Sequence, residues 1–141
     1  MTTTTRVDAA EVWIQLATVF SDNRAYWQPR VVERTGMPFS RFRALRRLEQ
    51  APMSGGELAT SLRVDAPAAS VIVGDLAARG LVRKEADPED GRRKIITVTD
   101  EGRRLMDDIR ALPEPVPALA ALSPDELATL HTLLTKVQEA R

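Results

Sequence analysis

With 141 residues, 43% of them hydrophobic and 28% charged, the chain can bury one compact core and is too short for two domains of ordinary size. It has no cysteine, which excludes disulfides, thiolate metal sites and thiol-based redox sensing. The 20 basic and 20 acidic side chains cancel overall, yet residues 24–94 carry 14 Arg or Lys against 9 Asp or Glu, a basic middle between acidic flanks.

No apolar stretch approaches the roughly 20 residues that span a bilayer. The polar start from Met1 to Asp8 lacks the apolar core of a secretory signal. The expectation is a cytoplasmic protein that engages no membrane.

From Asp8 to about Trp27 the periodicity is helical. Trp13, Leu16, Phe20 and Trp27 form one stripe, and Val12, Val19 and Tyr26 form a second beside it. A helix apolar over so wide an arc must bury two sides, in a core or against a partner chain. Pro29 predicts an interruption, followed by a short helical stretch from Arg30 to Gly36 and a turn. Phe39 to Gln50 reads as helix again, with Phe42, Leu45 and Leu48 inward and Arg41, Arg43, Arg46 and Arg47 largely outward.

Ser54-Gly55-Gly56-Glu57 sets Ser and Glu three apart, a capping box that starts a short helix through Leu58, Ala59 and Leu62. Asp65 can cap the next helix, and Pro67 fits its first turn, where a missing N–H does no harm. That helix runs to about Arg79, and Gly80 can take the positive φ that ends it. Two helices joined tightly at Arg63–Val64 make a helix-turn-helix over about 54–79. The period then changes. Leu81 to Ala86 and Lys94 to Thr99 are rich in Val, Ile and Thr, and the polar segment between them contains Pro and Gly. A β-hairpin with a charged tip, over about 81–99, therefore follows the helix-turn-helix directly. That order is a winged helix.

Thr99 can cap a further helix through Leu105, Met106 and Ile109, and the prolines at 113, 115 and 117 end it in a kinked connection. Ser123-Pro124-Asp125-Glu126 is a second capping box with Pro at the first helical position. The last helix spaces Leu127, Leu130, Leu134 and Val137 by threes and fours, opposite Thr129, Thr132 and Lys136. Such a seam needs a surface to pack on, which the first helix of this chain or of a second copy can supply. The fold class is mainly α with a small β-hairpin wing.

Three motifs occur in order: Leu76-Ala77-Ala78-Arg79-Gly80-Leu81-Val82-Arg83, Asp87-Pro88-Glu89-Asp90-Gly91-Arg92-Arg93 and Val98-Thr99-Asp100-Glu101-Gly102. In them the sequence resembles the MarR family of bacterial and archaeal regulators, with its L-x-x-x-G-L-V, D-P-x-D-x-R and (L/V)-T-x-x-G signatures. The helices before and after extend the resemblance over roughly 8–138. It implies a single winged helix-turn-helix domain with dimerisation helices at about 8–27 and 100–140. The function implied is that of a homodimeric, sequence-specific transcriptional regulator of double-stranded DNA, a repressor released by a small aromatic or anionic effector. Two-fold symmetry of the dimer implies a pseudo-palindromic operator.

In the family, the Arg of D-x-R enters the minor groove; here it is Arg92. A guanidinium at a hairpin tip also suits a narrow groove of enhanced negative potential on physical grounds alone. Asp90 is expected to hold that side chain by a charge-assisted hydrogen bond, with Arg93 and Lys94 on phosphates. If Ala69, Ile72, Val73 and Leu76 face the core, Ala66, Pro67, Ser70, Val71 and Gly74 face the major groove. Here the chain departs from the family, whose members commonly carry Arg where Val71 stands. No basic residue precedes Arg79 on this helix, so Arg cannot read guanine from it. Ser70 remains for a base or phosphate, and Ala66, Ala68 or Val71 for thymine methyls, with DNA shape and the wing adding specificity. Phosphates can meet Arg63, the helix starts at Ser54 and Asp65, and some of Arg41, Arg43, Arg46 and Arg47, a cluster that also reads as a solvated helix face.

Trp13, Phe20, Tyr26, Trp27, Arg30, Phe42 and Arg46 are the candidates to line an effector site, and each has ordinary packing as its other reading. His131, the one histidine, lies on the leucine-rich last helix and reads as packing near the dimer seam. Ser54-Gly55-Gly56 lacks the lysine of a phosphate-binding loop. No enzymatic activity, cofactor or metal is expected. The alternative is a winged-helix protein–protein interaction module that docks through the Val71 face, with weak or no DNA binding.

Overall fold

The computed structural model describes residues 7–112 and 116–140. They fall into two compact units, one of residues 28–112 and one that joins the first helix up to Trp27 to the C-terminal segment. The first helix, α1 (Ala9–Thr35), runs through both. Pro29 lies inside it, and the interruption expected there is absent. Proline removes a single donor, the one that would reach the Ala25 carbonyl. Both residues are exposed, so solvent can serve that carbonyl while the hydrogen bonds above and below hold the helix.

In residues 28–112, α2 (Phe39–Gln50), α3 (Gly55–Leu62) and α4 (Ala66–Ala78) surround one core with α5 (Asp100–Arg110). Leu45 and Leu48 of α2, Leu58 and Leu62 of α3, Ile72, Val73 and Leu76 of α4 and Met106 of α5 are all buried in it. The sheet that closes this core has three strands, β1 (Met53–Ser54), β2 (Val82–Ala86) and β3 (Lys94–Val98), in the antiparallel order β1-β3-β2. The hairpin register runs from Val82 opposite Val98 to Ala86 opposite Lys94. Ile96 and Val98 point inward, while all of β2 beyond Val82 is exposed, so the hairpin extends away from its base.

Two junctions fix the path around the helix-turn-helix. Gly80 takes φ +76° at the end of α4. Thr99 Oγ1 then donates to the Gly80 carbonyl at 2.6 Å and accepts from the Gly102 N–H at 3.1 Å, so one hydroxyl ties the exit of α4 to the cap of α5. Gly102 is buried there, and an added Cβ would lie 2.7 Å from Val98 Cγ1 and closer still to the Leu81 carbonyl oxygen. The G of the third motif is thus a close-approach glycine.

In the other unit, a 3₁₀ turn (Pro117–Ala121) precedes α6 (Pro124–Glu139). The capping box at Ser123 forms as expected, with both reciprocal bonds to Glu126 in place. Pro113 and Pro115 of the expected kinked connection lie outside the described residues. No described residue of this unit is buried. Trp13, Phe20 and Val137 are 71%, 59% and 62% exposed, and Ile14 and Leu133 are exposed with them. His131 is exposed too.

Candidate nucleic-acid interface

The interface is assembled from three local devices. The first is the capping box of α3, where Ser54 Oγ accepts from the Glu57 N–H at 3.2 Å and Glu57 Oε1 accepts from the Ser54 N–H at 3.3 Å. The second is the turn. Arg63 is exposed in the left-handed region at φ +57°, which turns the chain tightly enough for Asp65 to cap α4 by accepting the Ala68 N–H at 2.7 Å. The third is the loop 87–93. The Asp87 N–H donates to the Arg93 carbonyl at 2.8 Å, and the Arg93 N–H to the Asp90 carbonyl at 3.0 Å. These bonds close the tip on itself.

The inward and outward faces of α4 divide as the periodicity requires. Ala69, Ile72, Val73 and Leu76 are buried, and Ala66, Pro67, Ser70, Val71 and Gly74 are exposed. Val71 stands 64% exposed on a helix whose other branched side chains are at most 6% exposed. The helix is clamped from behind. Asp75 accepts from Arg41 Nε of α2 at 3.0 Å and from Arg79 Nε at 3.1 Å. The Arg41 hydrogen bond, assisted by Arg79, holds the Asp75 carboxyl below the usual aspartate range.

The four arginines of α2 therefore separate. Arg41 is committed to Asp75, and Arg46 donates to Glu49 at 2.9 Å, a carboxylate it shares with Arg110 of α5. Burial pushes Glu49 upward, but the two guanidiniums together bring it below the usual glutamate range. Arg43 and Arg47 are exposed.

In the wing, Arg92, Asp90 and Lys94 are exposed. The expected side-chain bond between Asp90 and Arg92 is not made. Asp90 Oδ1 instead accepts the backbone N–H of Arg92 at 3.1 Å, because two residues of separation within a turn bring the carboxylate to the backbone. The Arg92 guanidinium is left with no partner among the described residues. Arg93 points the other way and pairs with Glu57 of the α3 capping box, with Asp87 3.7 Å from its Nε. Sequence reasoning missed this brace between wing and helix-turn-helix, since nothing local marks two residues so far apart in the chain as neighbours.

The candidate effector residues are distributed over both compact units. Trp13, Phe20, Tyr26 and Trp27 belong to the terminal unit, and Arg30, Phe42 and Arg46 to residues 28–112. Tyr26 and Trp27 are half-buried, and Phe42 sits against Phe39, ring centroids 5.3 Å apart, at the edge of the core. A surface cleft of the 28–112 unit lies among Met37, Arg79, Glu101, Arg104 and Asp108. Among the described residues no helix is long and apolar enough to cross a membrane.

A helix-turn-helix with one face of its second helix exposed, followed by a hairpin with a cationic tip, defines a winged-helix protein. Residues 35–93 match the model of the MarR family. Among solved structures, a MepR mutant from a multidrug-resistant S. aureus clinical isolate is 18% identical, with a TM-score of 0.78 over 94% of this chain and 97% of that one. A probable transcriptional regulator from Pseudomonas aeruginosa is 27% identical, with a TM-score of 0.59 over 87% of this chain and 96% of its own. A second S. aureus MepR mutant, bound to an oligodeoxyribonucleotide, is 18% identical, with a TM-score of 0.61 over 96% and 99% of the two chains. No curated protein matches the chain. Over residues 35–93 the chain is thus similar to the MarR family, and its fold is that of these solved winged-helix structures.

Proposed function

We propose that the protein is a homodimeric repressor of pseudo-palindromic double-stranded DNA, with α4 of each protomer in the major groove and Arg92 of each wing in the adjacent minor groove. The observation that carries this reading is the wing tip. Its backbone is closed by hydrogen bonds and its other arginine is tied down, yet the Arg92 side chain is exposed with no partner among the described residues. A cation on a closed turn, unpaired among the described residues, matches a narrow groove of high negative potential. Ser54 and Asp65 at helix starts, with Arg63 and Lys94, supply phosphate contacts around it. The MepR mutant solved with an oligodeoxyribonucleotide supports the choice of ligand.

The dimer follows from the terminal unit. Helices that leave Trp13, Ile14, Phe20, Leu133 and Val137 in water, with no buried side chain among the described residues, form an apolar surface of the kind that associates. A second copy is its partner, and two-fold symmetry places the half-site centres about one helical turn apart. A dimer seated on a promoter acts by exclusion, hence repression. A small aromatic or anionic effector that releases the DNA completes the reading.

The test is an anisotropy titration on duplexes selected from random sequence. Binding should weaken steeply with salt, the logarithm of affinity falling by about 0.9 per phosphate contact for each unit of log salt. One observation favours a rival. The exposure of Val71 suits a protein-docking face, and an intact dimer that binds no duplex at low salt would select that reading.

A further inference from the structure

We infer that α4 reads thymine through its C5-methyl group, that Val71 is the side chain that does so, and that 5-methylcytosine can replace thymine at that position. The inference rests on the reading of α4 as the groove helix and goes one step further, to the base feature recognised.

The exposed face of α4 carries a single hydrogen-bonding side chain, Ser70. It has no guanidinium, ammonium or carboxamide, so neither the paired acceptors of guanine nor the donor–acceptor pair of adenine can be met in bidentate fashion. The neighbouring charges on the helix cannot swing round to help. Asp65 is spent on the Ala68 N–H, while Asp75 and Arg79 hold each other, with Arg41 locking Asp75 from behind. What the face offers instead is carbon, and its most prominent carbon is the isopropyl group of Val71. A β-branched side chain on a helix is confined to essentially one rotamer, so it loses little freedom on contact. The major-groove edge of a base pair presents one feature that such a group can recognise. It is the methyl of thymine, which cytosine lacks and 5-methylcytosine restores at the same ring carbon.

The experiment uses the whole protein and a selected operator in which each thymine is replaced by deoxyuridine, symmetrically in both half-sites. Deoxyuridine keeps every hydrogen-bonding group and removes only the methyl. One position per half-site should respond, by about fourfold per methyl and about fifteenfold for the symmetric pair, the ordinary worth of burying one methyl group. At that position 5-methylcytosine·guanine should bind tighter than cytosine·guanine by a similar factor. Val71→Ala should abolish the difference between thymine and deoxyuridine without lowering the melting temperature. Operator binding that is insensitive to deoxyuridine everywhere, or equally sensitive in Val71→Ala, overturns this inference and leaves the DNA reading standing. Failure to bind any duplex overturns both.

Discussion

Gly102→Ala puts the close approach between α5 and the end of α4 to the test. The added Cβ would sit 2.7 Å from Val98 Cγ1 and nearer still to the Leu81 carbonyl oxygen. Because the second obstacle is backbone, a side-chain rotation cannot relieve it. Either α5 moves outward or the Leu81 peptide does. Leu81 O also accepts the Thr99 N–H at 3.0 Å, and Thr99 Oγ1 bridges Gly80 and Gly102, so movement weakens these bonds together. Overpacking costs about 1–3 kcal/mol and the disturbed cap about 1 kcal/mol. The better helix propensity of alanine returns up to about 1 kcal/mol. The net is a loss of about 2 kcal/mol, a fall in Tm on the order of 10 °C for a unit of this size. Circular dichroism melts at one fixed protein concentration are the assay, since association makes Tm concentration-dependent. Gly74→Ala is the control, because no atom lies within 4 Å of its added Cβ, and it should melt at or slightly above wild type. A Gly102→Ala protein as stable as that control would refute the reasoning.

Arg93→Gln removes the brace to Glu57, so amides of residues 86–94 should exchange faster while Tm moves by less than about 1 kcal/mol equivalent, the pair being half-exposed. Unchanged exchange would show that the wing does not depend on that pair. Glu49, Asp75 and Glu126 all titrate below their ordinary values in the folded chain. Their stabilisation is therefore fully present above the ordinary carboxylate values of 4.5 and 3.8, and is lost as pH falls through the lowered folded values. Melting temperature should hold from neutrality down to about pH 5 and drop below it, with a shallower drop in Asp75→Asn; an identical acid slope in that variant would contradict the clamp. Leu133→Lys with Val137→Lys should convert the proposed dimer to monomer in sedimentation velocity, and a persistent dimer would move the interface elsewhere.

What the sequence disclosed was what is encoded locally. The caps at Ser54, Asp65, Thr99 and Ser123 each lie within three residues of the N–H they serve, and the switch of period at Gly80 marks the wing from the chain alone. The α4 faces were legible because buried and exposed residues alternate at helical spacing. Hidden were the features made by distant partners. Met53 and Ser54 form a strand only because Ile96 and Ile95 lie opposite, and a two-residue strand has no period to detect. Arg41 reads as one of four outward arginines until Asp75, on another helix, claims it. Arg92 and Arg93 are adjacent and chemically identical. Only the position of Glu57 separates the braced one from the one left unpaired among the described residues.

The most direct measurement of the central claim is the affinity of Arg92→Ala for a selected operator across a salt series, beside its melting curve. Loss of one charged groove contact from each wing predicts binding about 10- to 100-fold weaker and a shallower salt dependence, with the melt and the dimer unchanged. Wild-type affinity and salt slope in that variant would mean that the guanidinium at the hairpin tip never enters the DNA.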